Sequence, residues 1–126
     1  MSVSAEALRA HIGYTAWASR RLVESAGRLS AQELTRDFGT ADKSVLGTLV
    51  HIFAADRIWL ARVAGRPNPP YVTDADYRLS VLENDWPALR ACWAQWANGL
   101  TDEAAASTIS YSDLSGNPGS SRSGKC

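Results

Sequence analysis

Histidine and cysteine are scarce in this chain, with only two of each among 126 residues: His11, His51, Cys92 and Cys126. The two cysteines form no CxxC or zinc-finger spacing, and no histidine follows residue 51. That excludes a finger or ribbon built on the chain's own local motifs. Charge of one sign is lacking too. Thirteen basic and thirteen acidic residues cancel, and no run of Lys or Arg concentrates positive potential, so no nucleic-acid partner is expected. No apolar stretch approaches the length of a membrane span, which leaves no membrane partner. The opening MSVSAEALRA has neither the basic start nor the apolar core of a secretory signal, and a reducing cytoplasm suits the low cysteine count. Neither a glycine-rich phosphate loop nor a nucleophile elbow occurs. What remains is a chain with 45% hydrophobic residues, long enough for one small domain.

The apolar residues recur at helical spacing in three long segments. The first helix is predicted from Ala5 to Leu29, with Ser4 as its cap and Glu6 favoured by the dipole of its first turn. Its stripe is Leu8, Ile12, Thr15, Ser19, Leu22, Ala26 and Leu29. Ser30-Ala31-Gln32-Glu33 reads as a capping box opening a short turn that Phe38-Gly39 closes. A second helix is predicted over Ser44–Ala64, stopped by Gly65 and by Pro67, Pro69 and Pro70. Apolar residues occupy most of its circumference, which marks it as a central helix covered by several neighbours. In the third, Leu79, Leu82, Trp86, Leu89, Trp93, Trp96 and Leu100 alternate three- and four-residue steps, the seam of near-parallel or antiparallel packing. Pro87 either kinks this helix or marks its start with Asp85 as cap; one kinked helix is the expectation.

A short turn at Thr101-Asp102-Glu103 follows. Thr108–Ser112 then alternates like a short strand, and Ser115-Gly116-Asn117-Pro118 is turn-forming. Residues 119–126 are expected to be a disordered tail. The fold class is therefore all-α: an up-and-down bundle of three main helices with a strand-like segment near residues 108–118. The second helix has more apolar surface than two partners cover, so a further helix, or a second copy of the chain, is expected against it.

Several blocks resemble the DinB (damage-inducible, YfiT-like) family: Tyr14-Thr15-Ala16-Trp17-Ala18, residues 34–40, the run SVLGTLVHIFAADRIWL over residues 44–60, and residues 111–118. The resemblance covers residues 5–118, and the second-helix block is its most specific part. It implies a four-helix bundle with a divalent metal, zinc or nickel, held by three histidines. One of these stands at the position of His51, and the other two come from an HxxxH motif on a fourth helix. Better-understood relatives of this kind are thiol-dependent transferases or isomerases that use a low-molecular-weight thiol. The sequence departs from the pattern after residue 118, where a Gly/Ser/Arg tail stands in place of the HxxxH helix. Residues 1–118 accordingly read as a bundle lacking its fourth helix, and the departure as the mark of a frameshift or premature stop.

His51 is the metal candidate, because Gly47, Thr48, Ala54 and Ala55 leave room for an ion beside a neutral imidazole. The plain alternative is a packed histidine bonded to a backbone or hydroxyl group. His11, at the edge of its stripe, reads as a boundary residue. Asp56 lies near the apolar centre of its helix and requires an Arg partner or a water. Trp17, beside Arg20 and Arg21, is a candidate interface residue. Cys92 reads as a small buried hydrophobe. Two functions fit: a metal-dependent thiol-transferase-like or hydrolase-like enzyme, impaired because donors are missing, or a non-enzymatic helical module that self-associates into a homodimer.

Overall fold

Hydroxyl caps start most of the helices, with Ser4, Ser30, Ser44 and Thr101 in that role. A computed structural model describes residues 4–112 and 118–122. Helix α1, Ala5–Ala26, opens on Ser4, whose Oγ accepts a hydrogen bond from Ala7 N at 3.1 Å. It ends at Gly27, short of the expected Leu29, which nevertheless packs half-buried on the core. The capping box is formed before α2, Ala31–Thr35: Glu33 N donates to Ser30 Oγ at 3.1 Å and Ser30 N to Glu33 Oε1 at 3.0 Å. Both Ser30 groups hold the Glu33 carboxyl below its ordinary pKa. Helix α3, Val45–Val63, is capped by Ser44 and halts before Gly65, whose φ of 69° suits glycine. After a 3₁₀ turn at Asp74–Asp76 comes α4, Leu79–Asn98, which is one helix with Pro87 inside it. Pro87 and Glu83, the residue whose helical bond it forgoes, are both exposed, so water reaches that turn.

Helix α5, Asp102–Ala106, precedes strand β1, Thr108–Ser112, which pairs antiparallel with β2, Pro118–Arg122, with Tyr111 opposite Gly119. Residues 119–122 are therefore paired backbone rather than the disordered tail expected of them. The turn expected at Ser115–Asn117 and the last four residues lie outside the described residues.

The core gathers Val23, Ala26, Leu34, Leu46, Leu49, Val50, Phe53, Leu82 and Trp86. On α1 the stripe holds with one exchange: Val23 is buried, and Leu22 is 47% exposed. On α4, Leu82, Trp86 and Trp93 of the seam are buried. Helix α3 packs against α1, α2, α4 and β1, and it carries none of the exposed large hydrophobic residues of the described chain. Besides the long helices, α2 and β1 thus lie beside this helix, on which the sequence predicts a further partner. Of the exposed aromatics, Tyr14 and Trp17 lie on the outside of α1, and Phe38, Tyr71 and Tyr77 lie in the segments between helices.

Helix directions depart from simple alternation. Arg9 Nη1 donates to Ala97 O and Leu100 O, and Arg90 Nε donates to Ser19 Oγ, so α1 and α4 are antiparallel. Ala16 and Thr15 lie near Ala55 and Asp56, whereas Val23 and Ala26 cluster with Leu46 and Leu49, so α1 is antiparallel to α3 as well. Helices α3 and α4 therefore run the same way. The segment between them returns along α3, where Arg57 Nη2 donates to Pro70 O at 2.9 Å.

Candidate functional site

Two polar positions on α3, five residues apart, face different surroundings. His51 lies on the open side with its side chain 60% exposed, and its Nδ1 is 3.7 Å from Asp42 Oδ1. Asp42 is placed by the loop before the helix: Phe38 N donates to Lys43 O at 2.7 Å, Lys43 takes a left-handed φ of 68°, and Ser44 N donates to Asp42 O at 2.8 Å. Gly47 permits this approach, because a Cβ there would collide with the Asp42 carbonyl oxygen. With Nδ1 turned to a carboxylate, Nε2 is the imidazole atom left to meet a ligand. A shallow cavity of about 190 Å³ beside His51 is walled by Ala54, Ile58, Trp59 and Tyr71.

Asp56 faces inward. Trp86 Nε1 donates to Asp56 Oδ2 at 3.1 Å, and Trp93 Nε1 donates to the Asp56 carbonyl, also at 3.1 Å. The expected Arg or water is thus an indole, with Arg90 close enough to act electrostatically. Burial raises the Asp56 carboxyl above its ordinary pKa, while the Trp86 bond and the charge of Arg90 oppose that shift. Arg90 lies over the Trp86 ring at 5.2 Å, and its Nε donates to Ser19 Oγ at 2.8 Å. Asp56 and Arg90 both line a cavity of about 270 Å³ between α1, α3 and α4. Its walls come from Ile12 and Ala16 on one side and from Trp59 and Trp93 on the other, with His11 and Thr15 also contributing.

The other candidates divide. His11 is exposed on α1, consistent with a boundary position. Trp17 is 52% exposed and Tyr14 64%; their rings are 5.8 Å apart, and Arg21 lies over Trp17. Cys92 is exposed, not the buried hydrophobe expected. Its neighbours in sequence include the seam residue Trp93, but the helical period turns position 92 outward. Sequence reasoning missed Asp42 and Arg90. An arginine beside Leu89 and between Trp86 and Trp93 was the available signal for the second; nothing in the sequence marked the first.

Whether these residues fit a metal is a question of donors. His51 and Asp42 make two groups, and among the described residues no three His, Cys, Asp or Glu side chains come together around a possible ion. A closed structural or open catalytic zinc site uses three or four donors. The described residues do not fit such a site. No curated protein and no solved structure matches the chain. A family model does, described as the DinB family and matching residues 1–118. With the match spanning nearly the whole chain and the helical bundle in place, this chain belongs to the DinB family.

Proposed function

We propose that this chain carries one donor, His51, of a DinB-type divalent-metal site, with Asp42 as the group that orients its imidazole. On its own the chain then binds zinc or nickel weakly and does not perform the metal-dependent transfer to a low-molecular-weight thiol that the family resemblance implies. The family resemblance implies a divalent metal held by histidines, one of them at the position of His51, which supports the ligand role. The observation that carries the reading is the pairing of an exposed His51 with Asp42 and no third donor beside them among the described residues. Carboxylate contact with the far ring nitrogen is the usual support of a metal-ligating histidine. A cytoplasmic setting accords with this reading.

Calorimetric titration with zinc and with nickel tests it. The expected result is binding weaker than about micromolar, as two donors imply, and its loss in His51→Ala. Appending a helix that bears an HxxxH motif is expected to tighten binding sharply and to permit thiol addition to a reactive electrophile. A sub-micromolar site in the unaltered monomer, or binding indifferent to His51, overturns the reading.

A second reading, homodimerisation, is favoured by the exposed Tyr14–Trp17 pair on α1. Light scattering over a dilution series distinguishes it. Concentration-dependent dimers abolished by Trp17→Glu support this reading, and a monomer throughout rejects it.

A further inference from the structure

The cavity between α1, α3 and α4 holds opposite charges at the end of an apolar chamber, and the His51 reading makes no use of it. We infer that it binds a small zwitterion with an apolar side chain, an apolar α-amino acid or a close analogue, with its ammonium against Asp56 and its carboxylate against Arg90.

Three observations carry this. Asp56 spends Oδ2 on Trp86 Nε1, and its Oδ1 makes no hydrogen bond to a described residue. Arg90 spends Nε on Ser19 Oγ, and its terminal nitrogens likewise make none to a described residue. The two charges do not close on each other: the one ion pair among the described residues is His51 with Asp42. Asp56 and Arg90 are half-buried on the cavity wall, each with bonding capacity to spare for a partner that lies between them.

A ligand with a single charge engages one of these groups, whereas a zwitterion engages both. Burial pushes the Asp56 carboxyl up and the Arg90 guanidinium down, which are the shifts that paired ligand charges would reverse. Most of the remaining wall suits an aliphatic or aromatic side chain: Ile12, Ala16, Trp59 and Trp93 present aliphatic and ring faces, with His11 and Thr15 as its polar members. The volume of about 270 Å³ admits a molecule of amino-acid size.

The test uses the full chain with L-leucine as probe, beside 4-methylpentanoate, which lacks the ammonium, and isopentylamine, which lacks the carboxylate. Calorimetry is expected to give saturable one-to-one binding of L-leucine, with a change in tryptophan fluorescence from the cavity wall. Each analogue is expected to bind at least about tenfold more weakly, the size of one lost charge-assisted contact. Asp56→Asn keeps an acceptor for Trp86 and is expected to remove the preference for L-leucine over 4-methylpentanoate. Because that variant alters a buried group, Ala16→Leu serves as a second probe. It fills the chamber without touching either charge and is expected to abolish binding in a cooperatively folded protein. No saturable L-leucine binding, equal affinity for either analogue, or full binding by Ala16→Leu overturns the inference.

Discussion

His51 and Asp56 stand on one helix five residues apart, each beside an opposite or potentially opposite charge, and yet their surroundings differ. Asp56 is enclosed by α4: two indole N–H groups reach it, one at the carboxylate and one at the carbonyl, and Arg90 stands behind. His51 looks out from the same helix with a single contact at 3.7 Å, made to a loop. The closed side derives its order from packing, since Trp86 is fully buried and meets Phe53 edge-on at 5.4 Å. The open side owes its order to a backbone device, a glycine that lets a carbonyl approach the helix. The polar group inside is thus tied to the packing of the core, and the one outside is not.

The sharpest break of this contrast is Trp86→Ala. Loss of a fully buried ring and of the donor to Asp56 is expected to cost about 3–5 kcal/mol in urea unfolding, and a cost below about 1 kcal/mol would mean that the closed side is not the core. Trp86→Phe isolates the polar part, because the ring persists and the N–H does not. The expected cost is about 1–3 kcal/mol for an acceptor left short of its donor, read from the shift in denaturation midpoint.

Asp56→Asn sharpens the comparison through pH. A carboxyl whose folded pKa is raised contributes its stability below the unfolded value, near about 4, and loses it as pH rises through the folded value. Stability of the unaltered chain relative to Asp56→Asn is therefore expected to improve on acidification from neutrality. A difference that stays flat or runs the other way refutes the assignment of burial as the dominant cause. The smallest effect belongs to the open side: His51→Ala is expected to move unfolding free energy by no more than about 0.5 kcal/mol, even as it removes metal binding in the calorimeter.

The helices were legible in sequence because their punctuation is local. Ser4, the Ser30–Glu33 box, Ser44 and Gly65 act within a turn of themselves, and their geometry follows from the residues alone. The seam on α4 was legible for the same reason, and so was the family. The candidate site was legible in part. His51 and Asp56 were visible as polar residues on an apolar helix, but what each one meets lies far away in sequence. Trp86 is 30 residues from Asp56, and Ser19 is 71 from Arg90. Asp42 reaches His51 through a left-handed lysine, a conformation that lysine itself does not favour. The parallel course of α3 and α4 was hidden too, since periodicity fixes a helix's faces and not its direction.

The hydrogen bond from Ala5 N to Asp102 Oδ1 at 2.8 Å bridges 97 residues. Seen as a question of folding order, that is a costly contact to form first, because loop-closure entropy grows with the length enclosed. The α3–α4 pairing closes a much shorter loop, with Phe53 and Trp86 only 33 positions apart in the chain. The α1–α3 pairing is more local still, with Ala26 and Leu46 of one core cluster 20 positions apart, so loop closure favours both of these pairings over that of α1 with α4, where Arg9 meets Ala97. Because the interhelical cavity takes walls from both α1 and α4, the chamber is complete only once this least local pairing is made.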